Sequence, residues 1–119
     1  MAFRFESLQI WHMARNYAKI AYKLTATFPR KEDYGLTSQI NRAVNSISLN
    51  IAEGSAKKSA KHFDVYLDNA VGSTFEVVAG GFRALDEGYI DQAVLDALYR
   101  EGETLAKAIN SFRRTLKLD

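Results

Sequence analysis

Residues 45–63 read NSISLNIAEGSAKKSAKHF, a stretch that begins as an apolar helix and ends in a cluster of lysines. Ile47, Ile51 and Gly54 recur at four- and three-residue intervals, the repeat that stacks side chains on one face of a helix. Upstream the same repeat collects Leu36, Ile40, Ala43 and Val44, so the spacing predicts a helix over Leu36–Gly54 with Gly54 as its stop. Two polar residues interrupt it: Asn50 on or beside the apolar seam, and Glu53 directly before the glycine. The turn that follows carries Lys57 and Lys58, and Lys61 opens the next periodic segment.

Working outward, three further segments show the helical repeat and none shows strand alternation. The first runs through Ile10, Met13, Tyr17, Ile20, Leu24 and Thr27, widened by Trp11, Ala14, Ala18 and Ala21; Ser7 is placed to cap it and Pro29, the only proline, ends it. Another extends from about Ser59 to Glu87 through Phe63, Leu67, Ala70, Val77 and Ala84, and the last starts near Asp91 and uses Val94, Leu98, Leu105, Ile109, Phe112 and Leu116. Breakers cluster at 28–35, 54–59 and 88–91. Each segment reads as about 25 to 30 residues, or roughly 40 Å at 1.5 Å per residue. Long helices joined by short links predict an all-α, antiparallel up-down-up-down four-helix bundle, with residues 1–119 as one domain.

Composition excludes several function classes. With no cysteine and two isolated histidines, neither a disulfide framework nor a metal centre is expected. Neither His12 nor His62 follows a glutamate by three residues, as a di-iron bundle requires, and no nucleophile elbow or phosphate-binding loop occurs. No catalytic residue, metal or cofactor is therefore assigned. The N-terminal MAFRFESLQIW lacks the basic and apolar regions of a signal peptide, and no apolar run reaches the ~20 residues of a membrane span. A cytoplasmic protein without a membrane partner is the expectation.

The segments Tyr34–Gln39 (YGLTSQ), Arg42-Ala43, Ser46-Ile47, Asn50–Gly54 (NIAEG), Gly72-Ser73 and Gly88-Tyr89-Ile90 together resemble the 23S rRNA intervening sequence proteins, also called the S23 family. The likeness spans nearly the whole chain. It departs from the family pattern at Ser48, where a proline is usual, and at Asn41, where a second arginine is common. The resemblance implies a small bacterial bundle assembling as a ring-shaped homopentamer. It also implies a distant similarity to the accessory variability determinant of diversity-generating retroelements, a basic pentamer that works with nucleic acid and a protein partner.

Asn50, near the seam, predicts a partner across the bundle or across a subunit interface, because an unpaired buried amide costs about 1 to 3 kcal/mol. Glu53 sits at the negative end of its helix and predicts an accompanying cation, either Lys57 or Arg42 of a neighbouring subunit. Gly72-Ser73 and Gly80-Gly81, inside a helix, predict close approach of another helix. In an up-down-up-down bundle one pole gathers Arg4, Lys57, Lys58, Lys61, Arg113, Arg114 and Lys117 against Glu6, Glu53, Asp64 and Asp119. The net charge of +2 thus hides a polarised molecule, and a ring would repeat that pole as a basic rim able to bind structured RNA or DNA. The competing expectation is a scaffold that recruits a protein partner, with the lysines serving only solubility.

Overall fold

The computed structural model describes residues 2–118. Four helices follow one another: α1 (Gln9–Thr25), α2 (Leu36–Ser55), α3 (Ala60–Asp86) and α4 (Gln92–Arg113). Short 3-10 turns at Arg4–Ser7 and Arg30–Glu32 precede α1 and α2. Only α3, with 27 residues, reaches the length expected from the breaker positions, because capping and unwinding shorten the others to 17, 20 and 22. Each helix packs against the next and α4 returns to α1, which makes an antiparallel up-down-up-down four-helix bundle of 47 × 22 × 21 Å.

The core is a seam along each helix. On α1 it is Ile10, Ala14, Tyr17, Ala21 and Leu24, continuing to Phe28, an alternation of four and three that keeps one narrow face inward. The expected seam was one position off at three places: Met13 and Ile20 are only half-buried and Thr27 is exposed, while Ala14, Ala21 and Phe28 take the inward positions. On α4 the same slip occurs, with Leu95 buried and Val94 turned outward. Ile40, Val44, Ile47 and Ile51 of α2 meet Phe63, Leu67, Ala70 and Val77 of α3, all buried.

Close approach is set by glycines at specific crossings. A Cβ on Gly54 would lie 2.6 Å from the Cβ of Tyr66 and 2.9 Å from the Phe63 ring, neither of which can yield without moving α3. Gly54 therefore does not stop α2, which runs on to Ser55; it lets α2 and α3 touch. A Cβ added to Gly81 would lie 2.6 Å from Cδ2 of the buried Leu98. Across the bundle the Tyr17 hydroxyl donates to the Leu98 carbonyl at 2.9 Å, in space left by Gly102. Burial pushes that hydroxyl's pKa up, so it remains a donor throughout the physiological range.

Helix starts are capped as chemistry requires, with one exception. Ser59 accepts from His62 N–H at 3.1 Å and Asp91 from Val94 N–H at 2.9 Å. Ser7 does not cap α1: its hydroxyl donates to the Arg4 carbonyl inside the preceding turn, and Leu8 holds the cap position. At the start of α2 the cap comes from outside the helix, as Glu32 accepts from Leu36 N–H at 3.0 Å and from the Tyr89 hydroxyl at 2.7 Å. These bonds tie the α1–α2 and α3–α4 links together at one pole. The Leu36 N–H and then the Tyr89 hydroxyl hold the Glu32 carboxyl below its ordinary range, while the bond to Glu32 pushes Tyr89 up to about 12.

Candidate functional site

The opposite pole gathers the expected cations. Phe63 at the start of α3 meets Phe112 near the end of α4 at 5.6 Å, and the Arg4 guanidinium stands 5.0 Å over the Phe63 ring. This packing brings Arg4, Lys57, Lys58, Lys61, Arg113, Arg114 and Lys117 to one end of the bundle; Asp119 lies outside the described residues.

Their environments differ sharply. Arg113 is three-quarters buried and bonds Asp64 through Nε at 2.7 Å and Nη2 at 3.3 Å, Asp68 at 3.2 Å and the Asn110 side chain at 3.1 Å. The hydrogen bond to Asp64 and the attraction of both carboxylates raise its pKa, so Arg113 is a fixed strut between α4 and α3. Lys57 lies 4.0 Å from Glu53 and 5.1 Å over the Tyr66 ring, whose hydroxyl donates to Glu53 at 3.1 Å. Within the chain, Lys57 is therefore the cation beside the glutamate. Among the described residues Arg114 reaches only the Ser111 hydroxyl, at 2.9 Å. Lys58, Lys61, Arg114 and Lys117 are exposed and form no ion pair among the described residues.

Asn50 is placed differently from the sequence expectation. Ile51 takes the seam, and Asn50 lies half-buried on the outer side of α2. Its amide donates to the Ser46 carbonyl at 2.8 Å and to the Ser46 hydroxyl at 2.9 Å, one turn back on the same helix. Ser46 in turn pairs with the buried Ser73 hydroxyl at 2.8 Å, so the link from α2 to α3 runs through two serines. Beside it a shallow groove of about 660 Å³ is lined by Asn50, Asp68, Asn69, Gly72 and Glu76. A Cβ on Gly72 would meet nothing within 4 Å, so no helix of this chain explains that glycine. Arg42 is exposed and has no hydrogen bond or ion pair among the described residues, and eleven residues of helix, about 16 Å, separate it from Glu53.

Two surfaces escaped the sequence reading. On α3 the outward positions Val65, Gly72, Phe75, Ala79 and Phe82 form a second seven-residue repeat beside the core repeat, and Phe75 is 68% exposed. Between α3 and α4 it borders a groove of about 500 Å³ with Val78, Tyr99 and Ala106. The other surface is α1, whose charged side chains, Arg15, Lys19 and Lys23, are all basic and exposed. A charge tally by segment reveals it: residues 7–31 contain no Asp or Glu, whereas all fourteen acidic residues lie outside. Among the described residues no group of three or more His, Asp or Glu could hold a metal, and no helix is long and apolar enough to cross a membrane.

Comparison with known proteins agrees with this architecture. Among curated proteins none matches the chain. A crystal structure of an S23 ribosomal protein family member of unknown function from Bacteroides thetaiotaomicron VPI-5482 superposes with a TM-score of 0.76 at 20% identity, covering 87% of this chain and 97% of that one. That likeness establishes the fold. The sequence profile of the 23S rRNA-intervening sequence proteins matches residues 6–111, which carry all four helices but for the last two residues of α4, and the chain belongs to that family.

Proposed function

We propose that this chain is a non-enzymatic, oligomeric helical protein of the cytoplasm that holds the phosphate backbone of structured RNA at its basic pole. The observation that carries the reading is the set Lys58, Lys61, Arg114 and Lys117, exposed and without an ion pair among the described residues, at the pole where the first 3-10 turn and the ends of α2, α3 and α4 converge. Four such charges on one protomer make a weak patch; repeated around a homo-oligomer they make a strong, salt-sensitive one. Assembly is supported by the apolar α3 repeat, with Phe75 and Phe82 exposed beside the open Gly72 and Ala79 positions, a pattern of knobs and holes suited to a second copy. The family resemblance favours five copies. A backbone-reading surface of this kind discriminates shape more than sequence.

The test combines light-scattering mass with binding of a fluorescent RNA hairpin, and of a DNA duplex of equal length, across a salt series. The expected result is an oligomer whose RNA affinity falls with salt and falls further when Lys58, Lys61 and Arg114 are each changed to Glu. Indifference of the wild type to both nucleic acids at low salt overturns the reading. In that event the exposed α3 repeat supports the second one, a scaffold whose partner is a protein.

A further inference from the structure

Resting on the RNA reading above, we infer that α1 is a second phosphate-binding surface, a lateral ridge that extends the contact from the pole along the flank of the bundle. Arg15, Lys19 and Lys23 stand at four-residue intervals on α1, on one side of the helix and about 6 Å apart along its axis. All three are exposed, and none forms an ion pair among the described residues. The segment around them holds five of the sixteen basic residues and none of the fourteen acidic ones. Two of those five, Arg30 and Lys31, belong to the turn before α2; α1 itself carries Arg15, Lys19 and Lys23 and no acidic residue, and the remainder of the chain is slightly negative.

The Arg15 guanidinium lies 4.7 Å over the Trp11 ring, which restrains it, and its N–H groups meet no acceptor among the described residues. A guanidinium held in that way loses little side-chain freedom when it meets a phosphate.

The chemistry of the ridge favours a polyanion over a folded protein. Protein interfaces centre on buried apolar or aromatic anchors within a polar rim. On α1 the exposed residues are Gln9, His12, Arg15, Asn16, Lys19, Tyr22 and Lys23, and the tyrosine oxygen is already occupied by the Asn45 amide at 2.6 Å. The exposed apolar repeat lies on α3, diagonal to α1 across the bundle, so copies joined through α3 leave the ridge facing outward. Nucleic acid can then lie on the ridge and the pole together.

The experiment measures binding of a fluorescent RNA hairpin against salt for wild type, a ridge variant (Arg15→Gln, Lys19→Gln, Lys23→Gln) and a pole variant (Lys58→Gln, Lys61→Gln, Arg114→Gln). Light-scattering mass and thermal melts accompany each. The ridge variant is expected to keep its mass and melting temperature while its salt slope falls by about 2 to 3 and its affinity near 0.1 M salt falls about a hundredfold. If wild type binds and only the pole variant loses affinity, the ridge inference is wrong and the pole reading stands. If wild type binds nothing, both fall. If the ridge variant changes oligomer mass while RNA affinity and slope hold, the ridge is a contact between copies and the inference is overturned.

Discussion

Gly54 shows how little room single residues have in this bundle. Adding one methyl there drives Cβ into Tyr66 and Phe63, and the nearest atom belongs to a Cβ fixed to the α3 backbone. Gly54→Ala is expected to lower stability by about 1 to 3 kcal/mol in urea titration. Gly72→Ala is the contrasting case, since open space surrounds that position and the helix gains propensity of up to about 1 kcal/mol. Its dissociated protomer should be more stable, and any loss of assembly would place a second copy against the glycine. Glu32 supplies a pH signature. Its folded pKa is depressed by the Leu36 N–H and the Tyr89 hydroxyl, so its contribution is present above the ordinary glutamate pKa of about 4.3 and is lost as pH falls through the folded value. Glu32→Gln should flatten the acid side of a melting-temperature profile. Tyr89 has the opposite sign: its contribution holds below pH 10 and fades as pH rises toward about 12.

At the scale of elements, the periodic apolar positions made four helices and their antiparallel order legible without coordinates. Local spacing determines which residues can share a face, but not which of two adjacent faces the neighbouring helices choose. Hence spacing left Asn50 on or beside the seam, where Ile51 in fact holds it, and Gly54 read as a stop when it is a crossing point. The pole was legible because helix order alone places chain ends. The pairing of Arg113 with Asp64 was not, since those residues are 49 apart in sequence and meet only through the packing of Phe63 on Phe112. The α3 double repeat was hidden for a related reason: apolar, helically spaced residues such as Phe75 and Phe82 look alike whether they face the core or the surface, and only packing shows the core filled by Ser73, Val77 and Ala84. Phe75→Ser with Phe82→Ser should reduce oligomer mass in light scattering and leave the protomer's helical circular dichroism intact.

For the molecule as a whole, the assembly and the nucleic-acid binding proposed above would rest on different forces and should separate under salt. Raising ionic strength from about 50 to 500 mM shortens electrostatic reach severalfold, so RNA affinity should collapse while an assembly held by α3 keeps its mass. Loss of both together would mean that charge, not apolar contact, joins the copies. Their independence follows from geometry, because α1 and α3 occupy diagonal positions in the bundle. Trp11 is the chain's only tryptophan, and it sits between the Arg15 cation at 4.7 Å and the Phe5 ring at 4.6 Å. The flank thus carries a built-in optical reporter: drawing the guanidinium off the indole changes the emission of a single fluorophore, and an unlabelled protein can signal occupancy of its own surface.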